Sequence, residues 1–181
     1  MGKARREQAI AVQLLQTFET EAKAILARCA RAKRDVAGFS FTRYRAFFET
    51  VKSFLVLAAF TRSKIEMLNV SPAEQRHLLE HIDGLDRRVS RAAMDVANVF
   101  YRLMLRRDMV YLGGHERCTE HREMLRDMLE REAEKAAYQA AEWKPDANLE
   151  RGIKALDVVL DEIVRRTPPM REFTPAFVDA E

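Results

Sequence analysis

Cysteine, glycine, proline and tryptophan are all scarce in the 181 residues, and each scarcity removes a class of fold. Two cysteines, Cys29 and Cys118, build no disulfide framework. Their number points to a reducing compartment, which makes an intracellular and most simply a cytoplasmic protein the expectation. Six glycines and five prolines are too few for a loop-rich or disordered chain. The longest strongly apolar run, Phe54 to Phe60, is seven residues, far short of the roughly 20 that span a bilayer. The amino terminus lacks the apolar core of a secretory signal. Arg6 stands where a myristoylation pattern needs Ser or Thr. An Arg-rich start is also a mark of organelle transit sequences, against which Glu7, Glu19 and Glu21 argue. Convincing strands are missing, and with them any Gly-rich phosphate loop of the strand–loop–helix kind. No repeat at a solenoid period and no low-complexity tract is present.

What remains is rich in Ala, Leu, Arg and Glu, the residues of long helices. The chain is expected to be all-α: an elongated antiparallel bundle of about five long helices over residues 1–166, with an extended tail at 167–181. Its central stretch is Ser71 to Leu112. Apolar residues fall at Leu78, Ile82, Leu85, Val89, Ala92, Val96, Val99 and Leu103, alternating steps of four and three as in a coiled-coil seam. Ser71-Pro72-Ala73-Glu74 supplies a cap, a proline for the first turn and a glutamate to bond back. Gly113-Gly114 supplies the stop. Gly84 costs about 1 kcal/mol relative to alanine, but the stripe keeps its phase through it, so one continuous helix is expected. Asn98 lies beside the stripe, either as a register-setting polar group or exposed.

A first helix over about Lys3 to Asp35 carries the stripe Ala11, Leu15, Phe18, Ala22, Ile25, Cys29, Ala32, Val36, with Cys29 as a small buried apolar residue. After Ala37-Gly38, Ser40 or Thr42 caps a second helix that runs to about Asn69. Its core positions are Tyr44, Phe47, Val51, Phe54, Ala58, Ile65 and Leu68, and Phe48, Leu55 and Ala59 widen the stripe. The connection at Val70-Ser71 is so short that the second and third helices must form a tight hairpin. A fourth helix is expected from about His115 to Trp143. A fifth is capped by Asp146 and striped by Leu149, Ile153, Leu156, Leu160 and Ile163.

The net charge of +3 conceals a polarity: residues 1–70 carry +7, residues 71–112 carry +1 and residues 113–181 carry −5. Two halves that attract one another would produce this pattern, and so would a surface for an acidic partner.

Metal and phosphotransfer chemistry have weak footholds. His77 and His81 are one turn apart. Cys118 and His121 share a face, and are the best metal candidates. Glu74-x-x-His77 with Glu66 is half of a dimetal site of the ferritin-like kind. His81 with Gly84 has the histidine-beside-a-small-residue pattern of phosphotransfer bundles. None of these is complete, and no cofactor is expected.

The leading expectation is therefore a non-enzymatic interaction protein, an adaptor or a structural subunit that binds a protein partner or a second copy of itself. Its candidate contacts are the tail anchors Met170, Phe173, Phe177 and Val178 and the basic ends of the first helix, Arg5 and Arg6 at the start and Arg31 and Arg34 at the finish. The alternative is a basic helical nucleic-acid-binding protein, using those arginines together with Arg28, Lys33, Arg43, Arg45, Arg87, Arg88 and Arg91. A histidine-based phosphotransfer or metal-binding bundle is the third reading.

Overall fold

The computed structural model describes residues 3–107, 122, 123, 130 and 146–167, and every regular element among them is helical. Helix α1 spans Lys3–Asp35 and ends in a short 3₁₀ turn at Val36–Gly38. Helix α2 spans Phe41–Glu66, α3 spans Pro72–Arg106 and α4 spans Ala147–Arg166. The fourth predicted helix and the tail fall outside the described residues, apart from helical backbone at Arg122, Glu123 and Glu130. The expected stop at Gly113-Gly114 lies outside them too. Helix α4 is the predicted fifth helix. Contacts divide the chain into two units, the first ending at Val96 and the second beginning at Ala97.

The caps follow the sequence closely. Ser40 Oγ accepts from the Arg43 N–H at 3.2 Å, and Ser71 Oγ accepts from the Glu74 N–H at 3.2 Å. Asp146 Oδ1 accepts from the N–H groups of Asn148 and Leu149 at 3.0 and 3.2 Å. The reciprocal half of the box at Ser71 is replaced: Glu74 Oε1 accepts from Gln8 Nε2 of α1 at 3.2 Å. Helix α2 ends at Glu66 rather than Asn69 because Gln75 reaches back from α3. Its side-chain amide donates to the carbonyls of Ile65 and Glu66 at 3.2 and 3.0 Å. The Ile65 carbonyl also accepts from the Leu68 N–H at 3.2 Å, and Gln75 adds a side-chain donor to this open end of the helix, so α3 caps the helix it turns back on.

The first unit is a three-helix bundle. Phe18 of α1 stacks on Phe54 of α2 with ring centroids 5.2 Å apart, which together with the short corner at Val36–Gly38 runs the two helices antiparallel. Helix α3 lies alongside α1 in the same direction. Gln8 meets Glu74, Glu19 Oε1 meets His81 Nε2 at 2.7 Å, and Lys33 Nζ meets Asp95 Oδ2 at 2.7 Å. The α3 members of these contacts belong to a row seven residues apart, 74, 81, 88 and 95. The core is the α1 stripe Ala11, Phe18, Ala22, Ile25, Cys29, Ala32 and Val36 with Tyr44, Phe48, Val51, Phe54, Leu55, Ala58 and Ile65 of α2. Phe47 and Leu68 are only half-buried, and Ala59 is exposed.

The predicted seam of α3 holds through Val89 and again at Val96, and is broken between and beyond. Leu78, Ile82, Leu85, Val89 and Val96 are buried, but Ala92, Val99 and Leu103 are half-buried. Ala93, Ala97, Phe100 and Met104 are buried in their stead. The buried positions advance by a little over 3.6 residues rather than 3.5, so the apolar face of a straight helix drifts away from a strict heptad. Helix α3 passes through Gly84 unbroken, and a Cβ added there meets no atom within 4 Å. Gly84→Ala is therefore expected to stabilise the first unit by about 1 kcal/mol, a rise of ~4–8 °C in Tm for a unit of this size, measurable by thermal denaturation.

In the second unit, Leu149, Ile153, Leu156, Val159, Leu160 and Ile163 of α4 are buried. Asn98 is half-buried and donates from Nδ2 to the Gly152 carbonyl at 3.4 Å, so it serves packing and is not simply exposed. Arg122 donates from Nε to Asp157 Oδ1 at 3.1 Å and also pairs with Asp161.

Cys29 is buried at 2% exposure, and burial pushes its thiol up to about 11, a backbone hydrogen bond only partly opposing that. Thiol reagents at pH 8 are expected to spare Cys29 in the folded chain and to modify it only in denaturant. Peptide mapping of alkylated protein reads the difference.

Candidate interaction surface

The directions of the three helices in the first unit decide which charges meet. The carboxyl-terminal end of α1, the amino-terminal end of α2 and the later turns of α3 up to Val96 share one end of the bundle. Helix α1 brings Arg28, Arg31, Lys33 and Arg34 there, all exposed. Arg43 and Arg45 follow directly after the corner, also exposed. Helix α3 adds exposed Arg88 and Arg91 and half-buried Arg87, level with α1 residues about 62 positions earlier, the offset of both the Glu19–His81 and the Lys33–Asp95 contacts. Within segments 28–45 and 85–96 there are nine cations and three carboxylates, Asp35, Asp86 and Asp95. Eight of the nine cations are arginines.

Arg88 belongs to the row of α3 that runs along α1, one step of seven from both His81 and Asp95. Arg88 and Arg91 thus stand on a helix parallel to the one bearing Arg31 and Arg34. Each pair is separated by a rise of ~4.5 Å along its own helix. The Lys33–Asp95 pair is exposed on both sides, so it contributes little to stability and leaves the positive field of this end largely intact.

Only part of the sequence-derived site assembles. Arg31 and Arg34 lie at the basic end. Arg6 is exposed near the other end of α1, ~37 Å from Arg31 along the helix at the standard rise, and Arg5 is in the same first turns. The two basic ends of α1 are therefore separate features. The tail anchors Met170, Phe173, Phe177 and Val178 lie outside the described residues, as do Cys118 and His121. Among the described residues no group of three or more His, Cys, Asp or Glu is arranged to hold a metal ion. The half-site of the dimetal kind is committed elsewhere: Glu66 pairs with Arg62 at 3.2 Å and Glu74 accepts from Gln8. His81, the phosphotransfer candidate, is held by Glu19.

Two features escaped the sequence. The first is a set of exposed apolar side chains away from the basic end: Val56 and Phe60 on the outward face of α2 and Met67 just after it, with Ile10 and Val12 on α1. Lys64 Nζ lies over the Phe60 ring at 5.3 Å. The second is a charge pair inside the bundle. Arg62 Nη1 donates to both oxygens of Asp83 at 2.6 Å, and Asp83 is 1% exposed. Its signal was an aspartate one residue after a core position, which periodicity alone reads as part of the solvated face.

Compared with protein-family models, with curated proteins and with solved structures, the chain matches none. No helix among the described residues is long and apolar enough to cross a membrane.

Proposed function

We propose that the chain works as a non-enzymatic helical interaction protein, an adaptor or a subunit of a larger assembly. Its docking surface is the basic end of the first unit. The observation that carries this reading is the convergence of arginines from three separate helices on one end of one bundle. Like charges so gathered repel one another, so the arrangement has its use in an acidic partner. The sequence reading of a basic end on α1 is thereby narrowed to Arg31 and Arg34 with their neighbours from α2 and α3.

The test is purification of the tagged chain from its own cells, beside a variant carrying Arg31→Glu, Arg34→Glu, Arg43→Glu and Arg88→Glu. All four side chains are exposed, so the variant is expected to keep its helical circular dichroism. A stoichiometric partner retained by the wild type and lost from the variant supports the reading. A partner that the variant keeps overturns it.

A further inference from the structure

We infer that the partner of the basic end is the phosphate backbone of a nucleic acid, bound without regard to sequence. This rests on the proposed docking surface and names its ligand. Three classes of acidic partner compete for such a surface: nucleic acid, an acidic protein and an anionic membrane.

The distribution of exposed apolar side chains separates them. A membrane surface is held by cations together with apolar groups that enter the acyl boundary. A protein interface has an apolar or aromatic centre inside a polar rim. The first unit does expose large apolar side chains, but among its described residues all of them lie elsewhere: Ile10, Val12, Val56, Phe60 and Met67. Phe60 is ~22 Å from Arg45 along α2, and Val12 is ~28 Å from Arg31 along α1, at the standard helical rise. Among its described side chains the basic end thus offers charge and hydrogen-bond donors and no large exposed apolar group. That composition suits a ligand that presents charge at regular intervals along a polar chain.

Residue choice points the same way. Arginine outnumbers lysine there by eight to one. Guanidinium gives a planar fork that grips phosphate bidentately, where an ammonium offers only a point charge. No element at this end is an isolated recognition helix framed by a turn, and the cations come from three helices rather than from one. The contact is therefore to backbone phosphate, which positions a protein without reading bases.

The experiment uses the full chain and a fluorescein-labelled 25-nucleotide single strand and its duplex, each of two unrelated sequences. Binding is followed by anisotropy from 50 to 200 mM KCl. Micromolar affinity is expected at the upper salt, within the usual non-specific range. With about six phosphates engaged, the slope of log K against log salt is expected near −4 for the single strand and near −5 for the duplex. The tighter arm at equal salt shows which form is preferred. The fourfold variant Arg31→Glu, Arg34→Glu, Arg43→Glu and Arg88→Glu is expected to lose at least 100-fold in affinity. A control with the same change of net charge, Lys64→Glu, Arg76→Glu, Arg151→Glu and Lys154→Glu, is expected to lose less than 10-fold, because none of the four is among the nine cations of the basic end.

Equal losses in the two variants overturn the inference, since binding would then follow net charge and not this surface. Absence of nucleic-acid binding at 50 mM KCl also overturns it. If vesicles rich in phosphatidylserine or poly-glutamate bind the wild type and not the fourfold variant while nucleic acid does not bind, the docking surface stands and its assigned ligand is wrong. If none of the three probes distinguishes wild type from variant, both fail.

Discussion

Arg62→Met is expected to destabilise the first unit by about 3–5 kcal/mol, the usual cost of removing one partner from a buried ion pair. Asp83 is 1% exposed and receives the guanidinium on both carboxylate oxygens at 2.6 Å. Arg62 itself is half-buried, and its Nε also reaches Glu66 at 3.2 Å. Burial alone would pull the Arg62 pKa down. The hydrogen bond and charge of Asp83, with help from Glu66, outweigh that and hold it above its ordinary value. The cation is therefore kept charged by its carboxylates, and the buried carboxylate loses its main counter-charge when the cation goes. Methionine preserves the stem of the side chain, so little packing is lost with it.

The companion variant separates charge from shape. Adding Asp83→Asn to Arg62→Met removes the stranded charge and is expected to recover at least half of the loss. Urea unfolding, with amide exchange in α2 and α3 to assign the transition to the first unit, reads both. A cost under 1 kcal/mol would mean that water screens the pair like the exposed Lys33–Asp95 bridge.

Helix positions were legible because the signals are local. Ser40, Ser71 and Asp146 cap where their side chains can reach the next free amides, and Asp35 and Arg166 close helices α1 and α4. The core face of α1 was legible too, since one stripe is enough for a helix that buries one side. The second half of α3 was not. Its strict four-three spacing suggested a heptad seam, but the positions that buried it, Ala93, Phe100 and Met104, follow the natural twist of a straight helix. Which of two interleaved stripes is used depends on the neighbour, and a neighbour is a tertiary fact.

The same limit governs the site. Each arginine cluster could be read from the sequence, but their meeting could not. It depends on α1 and α3 running parallel, which the Glu19–His81 and Lys33–Asp95 contacts establish. Arg5 and Arg6 matched Arg31 and Arg34 in charge, yet helix length keeps them apart. Asp83 was hidden for the opposite reason. One buried carboxylate among solvated ones has no periodic mark, and only the opposed Arg62 reveals it.

Phe18→Ala is expected to cost about 3–5 kcal/mol, as large-to-small changes of buried aromatics do. Phe18 is fully buried, at 0% exposure, and stacks on Phe54 with centroids 5.2 Å apart and planes 23° from parallel. The pairing adds about 0.5–1.5 kcal/mol beyond area burial, so the loss should fall in the upper part of that range. The comparison that decides the matter is Phe60→Ala. Phe60 is 52% exposed, and its described contact is the cation–π approach of Lys64, worth about 0.5–1 kcal/mol at an exposed site. The two substitutions delete the same atoms, one between α1 and α2 and one on the outward face of α2. Chemical denaturation of both variants should separate them by at least about 2 kcal/mol. Equal costs would mean that the Phe18–Phe54 stack does not anchor α1 to α2, and the placement of Arg31 and Arg34 beside Arg43 would lose its structural basis.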